Sequence, residues 1–238
     1  MAPLSIITGT ISLRVSSLGL KLSKKTLHTP YGDATILYSD RLILLPRHGA
    51  DTRNVIPPHR INHLANLYAL KIMGARDVVG LNSTGSLRKD LPPGTLIVPD
   101  DFISLAFVPT IFENHAHHIL PALSSKVRDK ILRAAAACGQ SVRHRGIYWQ
   151  TEGPRLETRA EIRLMSQFAD LVGMTMAGEA IAACEIGLRY ASLCSVDNFA
   201  NGITKEAPAM KTIQKYANRN ARIIQQIVVQ YIEMYGKN

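Results

Sequence analysis

Short apolar runs closed by turn residues alternate along this chain with windows whose apolar positions recur at helical spacing. Leu4 to Ile7 and Arg41 to Leu45 are runs of the first kind and read as strands. Ile61, Leu64, Ala65, Tyr68 and Ile72 then share one helical face, and Gly74 supplies a C-terminal stop. Val78 to Leu81 follows as a buried strand that ends in a polar turn, Asn82-Ser83-Thr84-Gly85-Ser86. Pro92-Pro93-Gly94 marks a turn before a strand at Leu96 to Val98. A helix over Ser125 to Ala137 leads to a strand at Ile147 to Trp149. Thr158 and Glu161 have capping-box spacing ahead of a helix that carries Ala160, Leu164, Met165 and Phe168. Leu171 to Gly173 predicts a strand, Glu179 to Ile186 a helix stopped at Gly187, and Arg189 to Cys194 another strand. The last helix places Ile213, Ala217, Ile224, Val228 and Tyr231 on one face. This alternation predicts an α/β layered fold with a largely parallel sheet, in one domain over residues 1–238.

Composition narrows the class. With 238 residues, 46% of them hydrophobic, there is material for one full core. A mean hydropathy of +0.03 excludes disorder as the main state, and no run approaches the roughly 18 apolar residues of a membrane span. The start, Met1-Ala2-Pro3-Leu4-Ser5-Ile6, lacks the basic and apolar regions of a secretory signal, so a cytoplasmic protein is expected. The formal charge is +10, but the basic residues are scattered. The densest runs, Lys21 to Lys25 and Arg143 to Arg145, lack interleaved aromatics and describe a solvated face, so neither nucleic acid nor a membrane is an expected partner. Cys138, Cys184 and Cys194 lie in apolar runs and read as reduced core thiols.

In α/β folds, ligands gather where polar turns leave the strand ends. Five such turns stand out: Thr8-Gly9-Thr10, Pro46-Arg47-His48-Gly49, Asn82 to Ser86, Thr151 to Thr158, and Asp197-Asn198. The first offers backbone N–H groups and hydroxyls without bulk, which suits an anion. Arg47-His48 adds a permanent cation and a second donor, although a surface pair is the plainer meaning of two such residues. The Asn82 to Ser86 turn adds hydroxyls and a glycine. Together the three describe a site for a phosphate-sized anion. Neither a Walker A pattern nor G-x-G-x-x-G occurs, which argues against nucleoside triphosphates and dinucleotides. Glu157 and Asp197 are opposite in sign. Either carboxylate could accept from a ring N–H or donate a proton, and Glu157 could equally belong to the helix start at Thr158.

Several segments occur in the order and spacing found in trimeric purine nucleoside phosphorylases. They are Pro46-Arg47-His48-Gly49, Pro57-Pro58-His59-x-Ile61-Asn62, Asn66-x-x-Ala69-Leu70-Lys71, Gly85-Ser86-Leu87, Glu152-Gly153-Pro154-Arg155 and Val172-Gly173-Met174-Thr175. The chain resembles that family from about Ser5 to Tyr231, and within it most resembles the 5′-methylthioadenosine and methylthioinosine phosphorylases. The resemblance implies a three-layer α/β/α sandwich around a mixed, partly barrel-like sheet. It implies phosphate-dependent cleavage of the N-glycosidic bond of a purine nucleoside, giving free purine and a pentose 1-phosphate. No metal or organic cofactor is implied; inorganic phosphate is a co-substrate. A homotrimer or dimer of trimers is implied, with sites at the subunit interfaces.

Residue by residue, the resemblance places Thr10, Arg47, His48, Asn82, Ser83 and Thr175 around phosphate, and Met174 and Thr175 at the ribose. Glu157 and Asp197 would face the purine, with Asp197 donating at N7 and joining His48 in catalysis. His118 would reach the 5′ pocket of a neighbouring subunit. The apolar loop Leu105 to Leu120, with Phe107, Val108, Ile111 and Phe112, would be buried by that neighbour. The chain departs from the family at three points. Thr8-Gly9-Thr10-Ile11 stands for Gly-Gly-Thr-Gly, and Met176-Ala177-Gly178-Glu179 stands for Thr-Val-Pro-Glu. Glu157 resembles the 6-oxopurine enzymes, whereas Asp197 resembles the 6-aminopurine enzymes. The rival readings are a non-catalytic purine-binding relic and a hydrolytic nucleosidase; retention of Arg47-His48 argues against the second. A metal site at His115, His117 and His118 would lack a carboxylate or cysteine partner.

Overall fold

The computed structural model describes residues 2–11, 13–51, 54–105 and 110–236. Among them, the chain runs β1 (Leu4–Thr8), β2 (Ser23–Thr29), β3 (Gly32–Tyr38), β4 (Leu42–Pro46), α1 (His63–Ile72), β5 (Asp77–Ser86), β6 (Leu96–Ile97) and β7 (Asp101–Ser104). It continues with α2 (Ser125–Ala137), β8 (Ile147–Gln150), α3 (Arg159–Met165), β9 (Leu171–Gly173), α4 (Met176–Glu185), β10 (Arg189–Phe199) and α5 (Met210–Tyr235).

Alternation along the strands builds the layers. On β1 and β4, Leu4, Ile6, Leu42 and Leu44 pack towards α2 and α5, against Val127, Ile131, Ile224, Ile227 and Tyr231. Their neighbours Ile7, Ile43 and Leu45 turn the other way, against Leu64, Leu67 and Leu70 of α1 and Met176, Ala180 and Ala183 of α4. Both faces of the sheet are therefore buried, which is why these strands are continuous apolar runs. A third cluster seats α3 on β8 and β9 through Trp149, Ile162, Met165 and Val172.

The sheet has the order β2-β3-β4-β1-β5-β9-β8-β7, with β10 alongside β5 and β6 alongside β10. It is mixed rather than largely parallel, since β2–β3, β3–β4, β5–β9 and β6–β10 are antiparallel. Strand β5 takes β1 over Val78 to Gly80 and β9 at Gly85 and Ser86, while β10 follows it along nearly its whole length. One strand thus joins two parts of the sheet.

Two expected turns are strands. Asn82 to Ser86 continues β5, and Asp197-Asn198 lies inside β10, where a bulge falls between Val196 and Asn198. Helix α4 begins at Met176, three residues before the expected Glu179. The β2–β3 hairpin and β7, which the hydrophobic pattern did not announce, complete the sheet.

Candidate active site

The C-terminal ends of β1, β4, β5, β9 and β10 converge on a cavity of about 270 Å³. Thr10, Arg47 and His48 enter it from the turns after β1 and β4, and Ser83 and Gly85 from β5. Met174 and Thr175 enter between β9 and α4, Glu157 from the loop before α3, and Asn198 from β10. Pro58, Pro208, Met210 and Ile213 form an apolar wall.

Arg47 is 3% exposed, and its charge is matched by Glu179 of α4. The guanidinium donates from Nε and Nη2 to the two carboxylate oxygens at 2.5 and 3.1 Å, and from Nη1 to the Leu81 carbonyl at 2.7 Å. Three of its five N–H groups are thus occupied within the protein, leaving one each on Nη1 and Nη2. A Cβ at Gly9 would overlap Nη1, so the glycine of the β1 turn is what lets the arginine lie against that turn. The motif Arg47-His48 is therefore no surface pair.

The His48 Nδ1 lies 2.7 Å from the Ile56 carbonyl, which can only accept. This places the proton on Nδ1 and leaves Nε2 as an acceptor when the ring is neutral. Burial lowers the His48 pKa from its ordinary value, only partly opposed by the hydrogen bond to Ile56, so the neutral ring persists into mildly acidic solution.

Thr175 is the N-cap residue of α4, yet its hydroxyl makes no capping bond. It accepts from Asn82 Nδ2 at 2.8 Å. Asn82 itself is 1% exposed and stands behind Thr175 rather than at the cavity wall. Asn82 was expected at the phosphate, but the continuation of β5 turns its side chain into the protein, away from the cavity wall. Ser83, next along the strand, does reach the cavity, and its hydroxyl donates to Asp197 Oδ2.

Asp197 also stands behind the cavity wall. It is fully buried and is not among the residues lining the cavity. Ser83, Ser195 (3.0 Å) and Asn220 of α5 (2.7 Å) all donate to its carboxylate, on the side of the sheet that α5 covers. Burial raises its pKa from the ordinary value, and these three hydrogen bonds oppose the shift. Asn198, beyond the bulge, occupies the place expected for Asp197.

Glu157 is 7% exposed and lines the cavity. Its Oε1 accepts from the Thr151 hydroxyl at 2.7 Å, and its carbonyl accepts from Asn201 Nδ2 at 3.1 Å. The start of α3 does not use this carboxylate. Thr158 and Glu161 form the reciprocal capping box, and Arg155 pairs with Glu161 at 2.7 Å. Glu157 is therefore free to face a ligand.

His118 is exposed and lies outside its own chain's cavity. The segment before it is tied to the far end of α4, where Glu185 accepts from the Thr110 hydroxyl and the Ile111 amide. Of the loop's apolar residues, Ile111 packs on its own core and Phe112 against the His115 and His117 rings. Phe107 and Val108 lie outside the described residues. No group of three or more His, Cys, Asp or Glu side chains is arranged to hold a metal ion among the described residues.

The pattern of residues did not assign roles to Glu179, Tyr190 or Asn198. The signals were that Asn198 stood beside Asp197 in an expected turn and that Glu179 ends the segment standing for Thr-Val-Pro-Glu.

Residues 6–233 match the family model described as the phosphorylase superfamily, and the chain belongs to it. It is 38% identical over 235 residues to a probable 6-oxopurine nucleoside phosphorylase of Archaeoglobus fulgidus, covering 97% of this chain and 96% of the relative. It is 34% identical to a probable S-methyl-5′-thioinosine phosphorylase of Methanocaldococcus jannaschii, covering 86% and 84%. The fold matches the methylthioadenosine phosphorylase of Schistosoma mansoni solved with adenine, with a TM-score of 0.88 and 24% identity over 99% of this chain and 92% of that one.

Proposed function

We propose that this member of the phosphorylase superfamily cleaves the N-glycosidic bond of purine nucleosides with inorganic phosphate, releasing free purine and a pentose 1-phosphate. One observation carries the reading. A single cavity sets hydroxyl, guanidinium and imidazole groups at Thr10, Arg47, His48 and Thr175 together with Glu157 and Asn198. An anion held by the first set would attack C1′ while the second set holds the departing base.

Phosphate accepts from the free N–H groups of Arg47 and from the hydroxyls of Thr10 and Thr175, and His48 Nε2 accepts from it or from a ribose hydroxyl. As the bond to the purine lengthens, positive charge grows on the sugar beside the anionic nucleophile. Electron density returns to the purine, and the Asn198 amide, one of whose N–H groups is taken by the Phe199 carbonyl at 2.9 Å, donates the other at N7. Met174 packs against the sugar. Glu157 accepts from N1–H, a proton that 6-oxopurines have and adenine lacks. The A. fulgidus and M. jannaschii relatives named above both concern 6-oxopurines, which supports the same preference. Phosphate is a co-substrate, and no step calls for a metal or an organic cofactor.

The test is base release from inosine, guanosine, adenosine, methylthioinosine and methylthioadenosine, with and without phosphate. Release should require phosphate or arsenate and yield the pentose 1-phosphate. Equal release without phosphate identifies a hydrolase, and none under any condition identifies a binding module. Glu157→Ala should weaken inosine-type substrates by about 1–3 kcal/mol more than adenosine-type ones, because it removes the partner of N1–H. A uniform loss across the panel would remove Glu157 from base recognition.

A further inference from the structure

Strands β5 and β10 run in parallel register, with Gly80 opposite Ser192 and Asn82 opposite Cys194. A Cβ at Gly80 would overlap the Tyr190 hydroxyl and crowd the Asn82 amide. The missing side chain therefore opens a buried space beneath the cavity floor, and a continuous set of polar groups fills it. Tyr190 donates to Glu179 Oε2 at 2.7 Å, and Glu179 in turn holds Arg47. Ser192 lies 2.6 Å from Asn82 Oδ1, with the Tyr190 hydroxyl 3.4 Å from the same atom. Asn82 Nδ2 closes the chain on Thr175 at 2.8 Å. Every member is buried, from Ser192 at 0% to Thr175 at 8% exposure.

We infer that Asn82 and Tyr190 are positioning residues, which fix Arg47 and Thr175 as the two anion donors through this one buried frame. The inference rests on the phosphorylase reading. The directions of the protons carry it. A carboxylate paired with arginine can only accept, so Tyr190 gives its proton to Glu179 and fixes the far oxygen of the Arg47 clamp. The Asn82 amide occupies a lone pair of Thr175, so the Thr175 proton is free for an acceptor in the cavity. Both groups then present N–H or O–H to the same region, which suits an anion with several acceptor oxygens. Tyr190 and Asn82 touch no ligand themselves; they act through Glu179, Arg47 and Thr175.

Asn82→Asp preserves shape but replaces the donor with an acceptor. The Thr175 proton would turn back to it, and the cavity would face a lone pair backed by negative charge. Tyr190→Phe removes one hydroxyl and keeps the ring. The experiment measures steady-state kinetics against phosphate and nucleoside separately, together with nucleoside binding by calorimetry. The expected result is a phosphate KM raised by about tenfold or more for Asn82→Asp and about threefold to tenfold for Tyr190→Phe, the scale of one lost buried hydrogen bond. Nucleoside affinity should fall by less than the phosphate KM rises in both, Thr175 being expected at the ribose as well. If Asn82→Asp does not fold, Tyr190→Phe decides alone. An unchanged phosphate KM, or equal losses on phosphate and nucleoside, would overturn the positioning role while leaving the phosphorylase reading intact. A parent protein with no phosphate-dependent base release would overturn both.

Discussion

Arg47 holds its charge almost wholly out of water, and Glu179 makes this tolerable. Burial alone would favour losing the proton, but the adjacent carboxylate outweighs it and the guanidinium pKa rises. Removing the arginine alone strands that carboxylate, so Arg47→Ala should destabilise the fold by about 3–5 kcal/mol besides harming phosphate binding. Arg47→Met combined with Glu179→Leu should be markedly more stable than Arg47→Ala in urea titrations at neutral pH. A double variant as unstable as the single one would show that the pair is not interdependent. His63, at the start of α1 and against Gly178 of α4, is the second buried group with a consequence. Burial first, with a smaller contribution from Arg47, pushes its pKa down from 6.5 to about 4 against the opposing pull of Glu179. The folded state therefore prefers the neutral ring. Its contribution is fully present above pH 6.5, falls as the pH drops towards 4, and amounts to about 3 kcal/mol at most. His63→Leu should flatten the decline in stability between those two pH values. Equal slopes for variant and parent would refute the assignment.

At the scale of elements, the apolar strands and amphipathic helices were legible because burial on both sheet faces writes them directly into the sequence. Helix α2 begins and ends where the pattern predicts, and β1 and β4 are within one residue of it. The polar halves of β5 and β10 were not legible, since Asn, Ser, Thr and Gly in succession usually signal a turn. Here those side chains are satisfied across the pair, as when Ser83 donates to Asp197 Oδ2 and Thr84 to the Ser195 backbone carbonyl at 2.7 Å. The hairpin β2–β3 was hidden for another reason: it is largely exposed and its sequence is mostly polar. Among residues lining the cavity, Arg47, His48, Glu157, Met174 and Thr175 were legible as motifs. Glu179 was not, because a carboxylate on a helix normally faces water. The cavity wall carries Asn198 where Asp197 was expected because successive strand residues face opposite ways. A bulge decides which one faces the cavity, and it leaves no mark in the sequence. Asn198→Ala should therefore lower kcat/KM for every nucleoside by about tenfold to a hundredfold. Asp197→Asn should act on phosphate KM through Ser83 and leave the nucleoside KM nearly unchanged. Loss of nucleoside binding in Asp197→Asn, with Asn198→Ala unaffected, would restore the original assignment.

For the whole molecule, the open question is where His118 works. Helix α4 has ten residues and so spans about 15 Å, with Thr175 and the cavity at its start. The segment leading to His118 is fastened at its other end, through Glu185 to Thr110 and Ile111, and Cys184 Sγ lies 3.8 Å from the Leu120 carbonyl. The chain's own fold thus holds His118 away from its own cavity. Leu105 and Leu120, at the two ends of this loop, are 79% and 93% exposed, an unfavourable arrangement for large apolar side chains unless another surface covers them. We propose that the cover is a second copy of this chain in a trimer or dimer of trimers, and that His118 completes the neighbour's site. Light scattering on a sizing column should then give a mass of three or six times 26.2 kDa. Leu120→Asp should shift that mass towards the single chain and remove activity with it. His118→Ala should leave the assembly and the phosphate KM intact but raise the KM for nucleosides with a 5′ hydroxyl or methylthio group. A fully active species of 26.2 kDa would refute the shared site, and a His118→Ala enzyme with unchanged nucleoside kinetics would confine the loop to assembly alone.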